Sequence, residues 1–168
     1  MKWIIGIGAI VLLAAGITLV FVNPRFQQKG KVLGAETFYQ EQNRVHIQPG
    51  EDHPLYSSNP PTSGWHWPNP ADWGMYDTEL PDEQLIHNLE HGGINIFYKD
   101  IDEETLKKLK DIAGRYKSKV VLAPRSQNPT KFALVAWEYL DTFEDFDEER
   151  IVRFIQANIN RGPEYISD

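Results

Sequence analysis

The chain contains no cysteine. This absence excludes disulfide bonds, thiolate metal sites and cysteine nucleophiles together, so any bound metal must be held by histidine, carboxylate, amide or thioether groups. Methionine is nearly as scarce, since the only two are Met1 and Met75. Basic residues are outnumbered by acidic ones, and the net charge of -7 comes without a basic stripe, which argues against nucleic-acid binding. The sequence has no internal repeat.

Charged residues are missing from one long stretch, residues 3–22, which reads WIIGIGAIVLLAAGITLVFV. About twenty residues at the helical rise span roughly 30 Å, the thickness of the hydrocarbon core of a bilayer. The following letters, NPRFQQKGK, make a poor cleavage site, so the stretch predicts an uncleaved single-pass anchor in the cell membrane. A short tail before a large domain usually leaves that domain outside, and we therefore expect an extracytoplasmic domain.

Beyond the anchor, the sequence predicts a tether over residues 23–40 and a single domain over residues 41–168. The first part of this domain, residues 41–80, is dense in proline, glycine, asparagine and serine, which favours irregular structure. It also carries aromatic residues that a disordered linker would lack. These are Tyr56, Trp65, Trp67, Trp73 and Tyr76. We expect an ordered, irregular segment packed on the rest of the domain.

From Pro81 onward the pattern becomes regular. Pro81 and Gly92 suit the first turn and the C′ position of a helix of about ten residues, which predicts a positive φ at Gly92. Further predicted elements are a strand at 94–98, a helix from Asp102 to near Gly114, strands at 119–123 and 132–140, and a helix from about Asp147 to Asn160. This β-α-β-β-α order predicts an α+β fold with the helices on one face of a mixed sheet.

All five histidines precede the first of the strands predicted here. They are His46, His53, His66, His87 and His91. The last two lie four residues apart and share the face of the predicted helix opposite Leu85 and Leu89. Because the irregular segment must pack somewhere, we predict that it meets this polar face. We therefore predict a metal site with His66, His87 and His91 as core ligands and His46 or His53 as a fourth.

Imidazole ligands suit copper(II) or zinc, and a nearby thioether would favour copper(I). We expect five further residues to support the ligands or the loop that carries them. These are Thr62, Ser63, Met75, Tyr76 and Glu90. The sequence indicates membrane association through the N-terminal helix and no nucleic acid, and it does not identify a protein partner.

Two other functions fit the same residues. One is a metal-free extracytoplasmic interaction module, in which the histidines and the tryptophans fasten the irregular segment to the sheet. The other starts from LIHNLEHGG at residues 85–93, which contains H-x-x-E-H, the inverted zinc-protease motif with Glu90 as general base. That enzyme needs a third ligand, for which the sequence offers only unmarked glutamates on a small domain with a short helix, so we favour a protein without catalytic residues. The glutamates are Glu138, Glu144, Glu148 and Glu149.

Four stretches, NPPTSGWH, WGMY, PDEQLIHNLEHGGINIFY and RGPE, together resemble the prokaryotic family called domain of unknown function 3105. The resemblance covers about residues 35–165 and implies one membrane segment followed by a single domain, without assigning an activity. Many members have cysteines after the strand that corresponds to 94–98, where this chain has KDIDEE. The motif positions carried over are Pro60, Pro61, Thr62, Ser63, Gly64, His66, Gly74, Tyr76, His87, Glu90, His91, Gly92 and Gly93.

Overall fold

A computed structural model describes residues 36–116 and 118–164. The predicted membrane anchor at residues 3–22 lies outside the described residues, as does most of the predicted tether. Within the two described ranges, no helix combines the length and the apolar character needed to cross a membrane.

A mixed sheet organises the described part of the chain. Its strands are β1 (Thr37–Phe38), β2 (Gly74–Met75), β3 (Ile94–Tyr98), β4 (Val120–Pro124), β5 (Phe132–Ala136) and β6 (Tyr139–Phe143). Their order across the sheet is β1-β6-β5-β3-β4-β2. β3 and β2 each pair with β4 in parallel, whereas β3–β5, β5–β6 and β6–β1 are antiparallel pairs.

Three helices accompany this sheet in the described residues, which confirms the α+β class. They are α1 (Asp82–Glu90), α2 (Glu103–Ala113) and α3 (Glu148–Asn158). Asp102 caps α2 as predicted, since its side chain accepts a hydrogen bond from the backbone N–H of Thr105 at 2.7 Å. Asp147 caps α3 in the same way, accepting from the backbone N–H of Arg150 at 2.9 Å.

The prediction that all helices lie on one face of the sheet is wrong. Successive residues of β3 point to opposite faces, and every residue of this strand is buried. Ile94 and Ile96 pack in a cluster with residues of α2 and α3, whereas Phe97 packs in a second cluster with Leu85 and Leu89 of α1. Because both faces of the central strand are apolar, both require cover, and α1 supplies it on the side opposite α2 and α3.

The strand predicted over 132–140 is confirmed at 132–136 but is not continuous, because the chain turns at Trp137 and Glu138 and β5 and β6 form a hairpin. Glu138 adopts a φ of 65°, a left-handed conformation that non-glycine residues seldom take. Its backbone N–H donates to the Thr62 carbonyl at 3.2 Å, and its side-chain Oε1 accepts from the Glu41 backbone N–H at 3.0 Å. Contacts with residues distant in sequence therefore fix this turn, which contains no glycine or asparagine that would have predicted it.

The sheet extends into the segment predicted as tether. Thr37 and Phe38 pair with Leu140 and Tyr139 at one edge of the sheet. The backbone N–H of Tyr39 then donates to the carbonyl of Glu138 at 2.8 Å. The described chain thus joins the sheet a few residues before the predicted start of the domain.

The irregular segment before α1 is fastened to that helix by hydrogen bonds. The backbone N–H of Trp67 donates to the Glu83 carbonyl at 3.0 Å. The Asn88 side chain accepts from the N–H of Ala71 and donates to its carbonyl, each at 2.9 Å, so both polar atoms of this buried amide have a partner. These bonds hold the loop against α1.

Candidate metal centre

Helix α1 places two histidines opposite the sheet. Leu85 and Leu89 are buried against the sheet, at 1% and 0% exposure. His87 and His91 therefore project from the other side, as their spacing predicts. Gly92 ends the helix with a φ of 76°, which confirms the predicted left-handed glycine.

The irregular segment brings His46 and His66 to this side of α1. A short parallel bridge joins the two residues, because the His66 N–H donates to the Val45 carbonyl at 3.1 Å and the Ile47 N–H donates to the His66 carbonyl at 2.8 Å. The ring of His46 stacks on that of His87 with centroids 5.1 Å apart, and it lies edge-on to His66 at 4.8 Å. Three imidazoles thus converge from three parts of the chain.

One potential ligand atom from each of His46, His66 and His87 lies within 4.8 Å of the other two. His66 is fully buried and His87 is 5% exposed, whereas the His46 side chain is about half exposed. Each metal–nitrogen bond is about 2.0 Å, so nitrogens bound to one ion lie at most about 4 Å apart, and the rings would draw together slightly on binding it. This group of three histidines is called the histidine cluster below.

Backbone carbonyl groups fix the orientation of the two buried rings. His66 Nδ1 donates to the Gly64 carbonyl at 2.7 Å, and His87 Nδ1 donates to the Trp67 carbonyl at 2.6 Å. A carbonyl oxygen can only accept, so Nδ1 carries hydrogen in both rings. Nε2 is therefore the nitrogen of each ring that is left to bind a metal ion.

Glu90 forms a buried pair with His66. Its Oε2 atom is 2.9 Å from His66 Nε2, and the two residues are 1% and 0% exposed. Burial alone would raise the pKa of Glu90, but the hydrogen bond with His66 and the charges of nearby histidines lower it below the usual value. Burial likewise works against a charged His66, and the hydrogen bonds to Glu90 and Gly64 outweigh it and raise the His66 pKa. Glu90 thus lies inside the protein and not on the exposed surface of α1.

His91 lies beside the histidine cluster and contacts one of its members. Its Nε2 is 3.0 Å from His87 Nε2 and 3.6 Å from Glu164 Oε2. Burial is the main cause that lowers the pKa of His87 and of His91. The neutral form, which is the form that binds metals, is therefore favoured at both residues.

The RGPE stretch near the C-terminus closes around the end of α1. The Asn160 N–H donates to the Gly92 carbonyl at 2.8 Å, and the Glu164 N–H donates to the Glu90 carbonyl at 3.0 Å. Gly162 lies so close to α1 that a Cβ atom there would overlap the Glu90 carbonyl oxygen. Glu164 was not predicted as a site residue. Its place in the RGPE motif was the signal that could have identified it.

His53 and Met75, both predicted for the site, make their contacts away from the histidine cluster. The ring of His53 packs against Tyr56 and Trp65, with its Nε2 3.3 Å from Glu83 Oε1. Met75 lies on β2 and is 44% exposed. Of the two alternatives for a further histidine, the structure therefore brings His46, and not His53, to the two buried rings.

Three predicted support residues hold the irregular segment. Thr62 is fully buried and its carbonyl accepts from Glu138. The Ser63 hydroxyl accepts from the Gln42 N–H at 3.1 Å, and the Tyr76 hydroxyl donates to the Asp72 carbonyl at 2.7 Å. Their contribution is to fix the chain that carries the ligands.

The four glutamates considered for a zinc hydrolase are bonded elsewhere. Oε1 of Glu138 accepts from Glu41, and Oε2 of Glu144 accepts from the Lys131 N–H at 3.4 Å. The other two form exposed ion pairs, Glu148 with Arg115 and Glu149 with Arg153. The carboxylate that does approach the H-x-x-E-H histidines, outside the motif itself, comes from Glu164.

The fold and the histidine cluster together define a mixed α+β domain with a buried imidazole–carboxylate site that could hold a metal ion. The chain belongs to the family described as protein of unknown function, DUF3105, whose profile matches residues 46–167. The match extends over all five histidines and the RGPE stretch, and it confirms the family resemblance found from the motifs. No curated protein and no solved structure matches the chain.

Proposed function

We propose that this protein is a membrane-tethered, extracytoplasmic metal-binding domain that holds copper or zinc in the histidine cluster. The observation that carries the proposal is the pair of bonds from His66 Nδ1 and His87 Nδ1 to backbone carbonyls. Histidines that bind metals almost always donate their other ring N–H to such an acceptor, which fixes the tautomer and the direction of the ligand nitrogen.

The third imidazole and the surrounding charge also support a metal ion. His46 adds a nitrogen within the same 4.8 Å group. Glu90 brings a negative charge to the buried centre, which offsets part of the charge of a divalent ion. His91, predicted as a core ligand, is in contact with His87 and is available to complete the coordination.

The membrane tether belongs to the proposal because of the sequence that precedes the described residues. Residues 3–22 are uncharged and long enough to span a bilayer. The absence of cysteine is compatible with an oxidising compartment, where a free thiol would be at risk. Protease added to intact cells should therefore remove the domain, and full protection would contradict the proposed orientation.

Metal content and melting temperature test the metal site. The full chain, purified in detergent with an affinity tag that contains no histidine, should carry about one equivalent of copper or zinc. After chelation, returning the metal should raise the melting temperature, because the ion binds the folded state. His87→Ala should abolish this gain, and His53→Ala should retain it. A wild-type melting curve that is indifferent to both metals would contradict the proposal.

A specific observation favours one alternative, the metal-free interaction module. The buried His66–Glu90 pair and the His87–His91 contact satisfy the polar groups of the cluster without an ion. In that case the histidines serve only to fasten the irregular segment to α1. The same experiment separates the two functions, because His87→Ala would then lower the melting temperature equally with and without metal.

A further inference from the structure

We propose that Glu90 is a direct ligand of the ion, so that the site is a mixed imidazole–carboxylate centre for a divalent metal. This inference rests on the proposed function and adds to it an oxygen ligand and a preference among oxidation states. The structural basis is the hydrogen bond between the Glu90 carboxylate and His66 Nε2, the buried nitrogen that would bind the ion.

The Glu90 carboxylate occupies the space in which His66 Nε2 would bind an ion. Oε2 of Glu90 is hydrogen-bonded to His66 Nε2 at 2.9 Å, so it lies near the direction in which that nitrogen would bind a metal. An ion about 2.0 Å from Nε2 on this line would be only about 0.9 Å from Oε2, which is far inside any metal–oxygen distance. The carboxylate must therefore shift, and a shift of about 1 Å would bring Oε2 to about 2.0–2.2 Å from the ion, the distance of a zinc–carboxylate bond.

The burial of Glu90 limits where its carboxylate can go when it shifts. Glu90 is 1% exposed, so a carboxylate that moved without ligating would remain inside the protein after losing the hydrogen of His66. A buried charge without a partner is strongly unfavourable. Nε2 of His46 also lies near Oε2, at 4.0 Å, and His46 itself belongs to the histidine cluster. Coordination is the arrangement that leaves the carboxylate compensated.

The contrast with His91 supports the choice of Glu90. His91 Nε2 stands in front of His87 Nε2 at 3.0 Å, so it too must move or ligate when an ion binds. It has a second partner in Glu164 Oε2 at 3.6 Å. It can turn to that partially exposed carboxylate, whereas Glu90 has no comparable alternative among its described contacts.

Helix α1 holds Glu90 in position for this role. His87 and Glu90 are three residues apart and share a face of the helix. The Glu90 carbonyl is bound by the Glu164 N–H at 3.0 Å, which anchors the last turn. The side chain therefore needs only the shift of about 1 Å described above to ligate the ion.

An oxygen ligand also changes which metal is favoured. Carboxylates suit divalent ions, whereas the softer copper(I) prefers sulfur and accepts imidazole. The inference therefore predicts zinc or copper(II) in the site. Copper(I) should bind more weakly than either, by at least tenfold.

The direct test uses the wild-type full chain in detergent, made by cell-free synthesis with glutamate labelled with ¹³C at the side-chain carboxylate. Copper(II) serves as the probe, because it binds such donor sets tightly. Pulsed electron–nuclear double resonance should detect a ¹³C coupling of directly bound strength, together with nitrogen couplings from imidazole. Nitrogen couplings without this ¹³C signal would overturn the role of Glu90 and leave the proposed metal site standing.

Variants give the second test. Glu90→Gln should remove the ¹³C signal and weaken zinc binding at least tenfold in a chelator competition. Glu83→Gln is the matched control, since Glu83 lies on the same helix and contacts His53 instead, and it should retain wild-type affinity. Unchanged affinity in Glu90→Gln would overturn the inference, and a wild-type chain that binds neither ion would overturn the metal site as well. If Glu90→Gln does not fold, the wild-type spectrum decides alone.

Discussion

Gly162 lies against the carbonyl oxygen of Glu90 with no room between them for a Cβ atom. A Cβ on Gly162 would also lie 2.6 Å from the Leu89 carbonyl oxygen. Because these obstacles are backbone atoms, they cannot rotate away. The fit explains why a glycine occupies this position of the RGPE stretch, and it ties the C-terminal segment to the helix that carries His87 and His91.

We predict that Gly162→Ala lowers the free energy of unfolding by about 1–3 kcal/mol, the usual cost of overpacking. Gly114→Ala is the matched control, because Gly114 has an ordinary φ of -61° and a Cβ there would meet only the tip of Met75 at 3.5 Å. Urea unfolding of both variants measures the difference. Equal stabilities would show that the C-terminal segment separates from α1 at little cost.

Gly92→Ala should also destabilise the protein, for two separate reasons. The φ of 76° costs a residue with a Cβ about 1 kcal/mol, and the added Cβ would lie 2.8 Å from Asn160 Cα. Gly50→Ala isolates the first cost, because Gly50 has a φ of 83° and nothing within 4 Å of an added Cβ. Chemical denaturation should find Gly92→Ala the less stable of the two. The reverse order would contradict the close approach of Asn160.

Replacing His46 should weaken metal binding, and replacing His53 should not. His46 contributes a nitrogen to the histidine cluster, whereas His53 packs on Tyr56 and Trp65. Loss of a metal-binding imidazole should cost at least the tenfold that is typical of losing a residue that merely orients a ligand. Zinc competition with a chelator compares His46→Ala with His53→Ala. Equal affinities in the two variants would argue that His46 is not a ligand.

The stabilisation by metal should depend on pH. Imidazole binds a metal only in its neutral form, and burial lowers the pKa of His87, so this ligand is already available at pH 7.5. At pH 5 protons compete for the nitrogens of the cluster, and the gain in melting temperature on adding zinc should disappear. Melting curves with and without zinc at the two pH values measure the gain. A gain of equal size at pH 5 would point to carboxylate ligands alone.

The placement of His87 and His91 on one face of α1 could be predicted from the sequence, because it follows from local rules. Residues four apart on a helix share a face, and Leu85 and Leu89 decide which face is buried. The positive φ of Gly92 follows in the same way from the need to end α1 sharply before β3. Both predictions depend only on residues close together in the sequence.

The features that escaped prediction depend on contacts between distant residues. The turn at Glu138 is held by Thr62 and Glu41, so the hairpin has no local signal. The burial of Glu90 depends on His66, whose position is set by the bridge to His46. The spacing of apolar residues predicts which face of a helix is buried. It does not predict which distant segment packs on the other faces.

His46 differs from the two other rings of its cluster in being about half exposed to solvent. The buried rings are held by carbonyl groups, and their hydrogen bonds can persist while His46 swings out and back. Exchange of an ion with the surroundings would then be limited by rotation of the half-exposed His46 side chain, and the strength of binding by groups in the interior. The residence time of the ion and its equilibrium affinity would therefore vary independently.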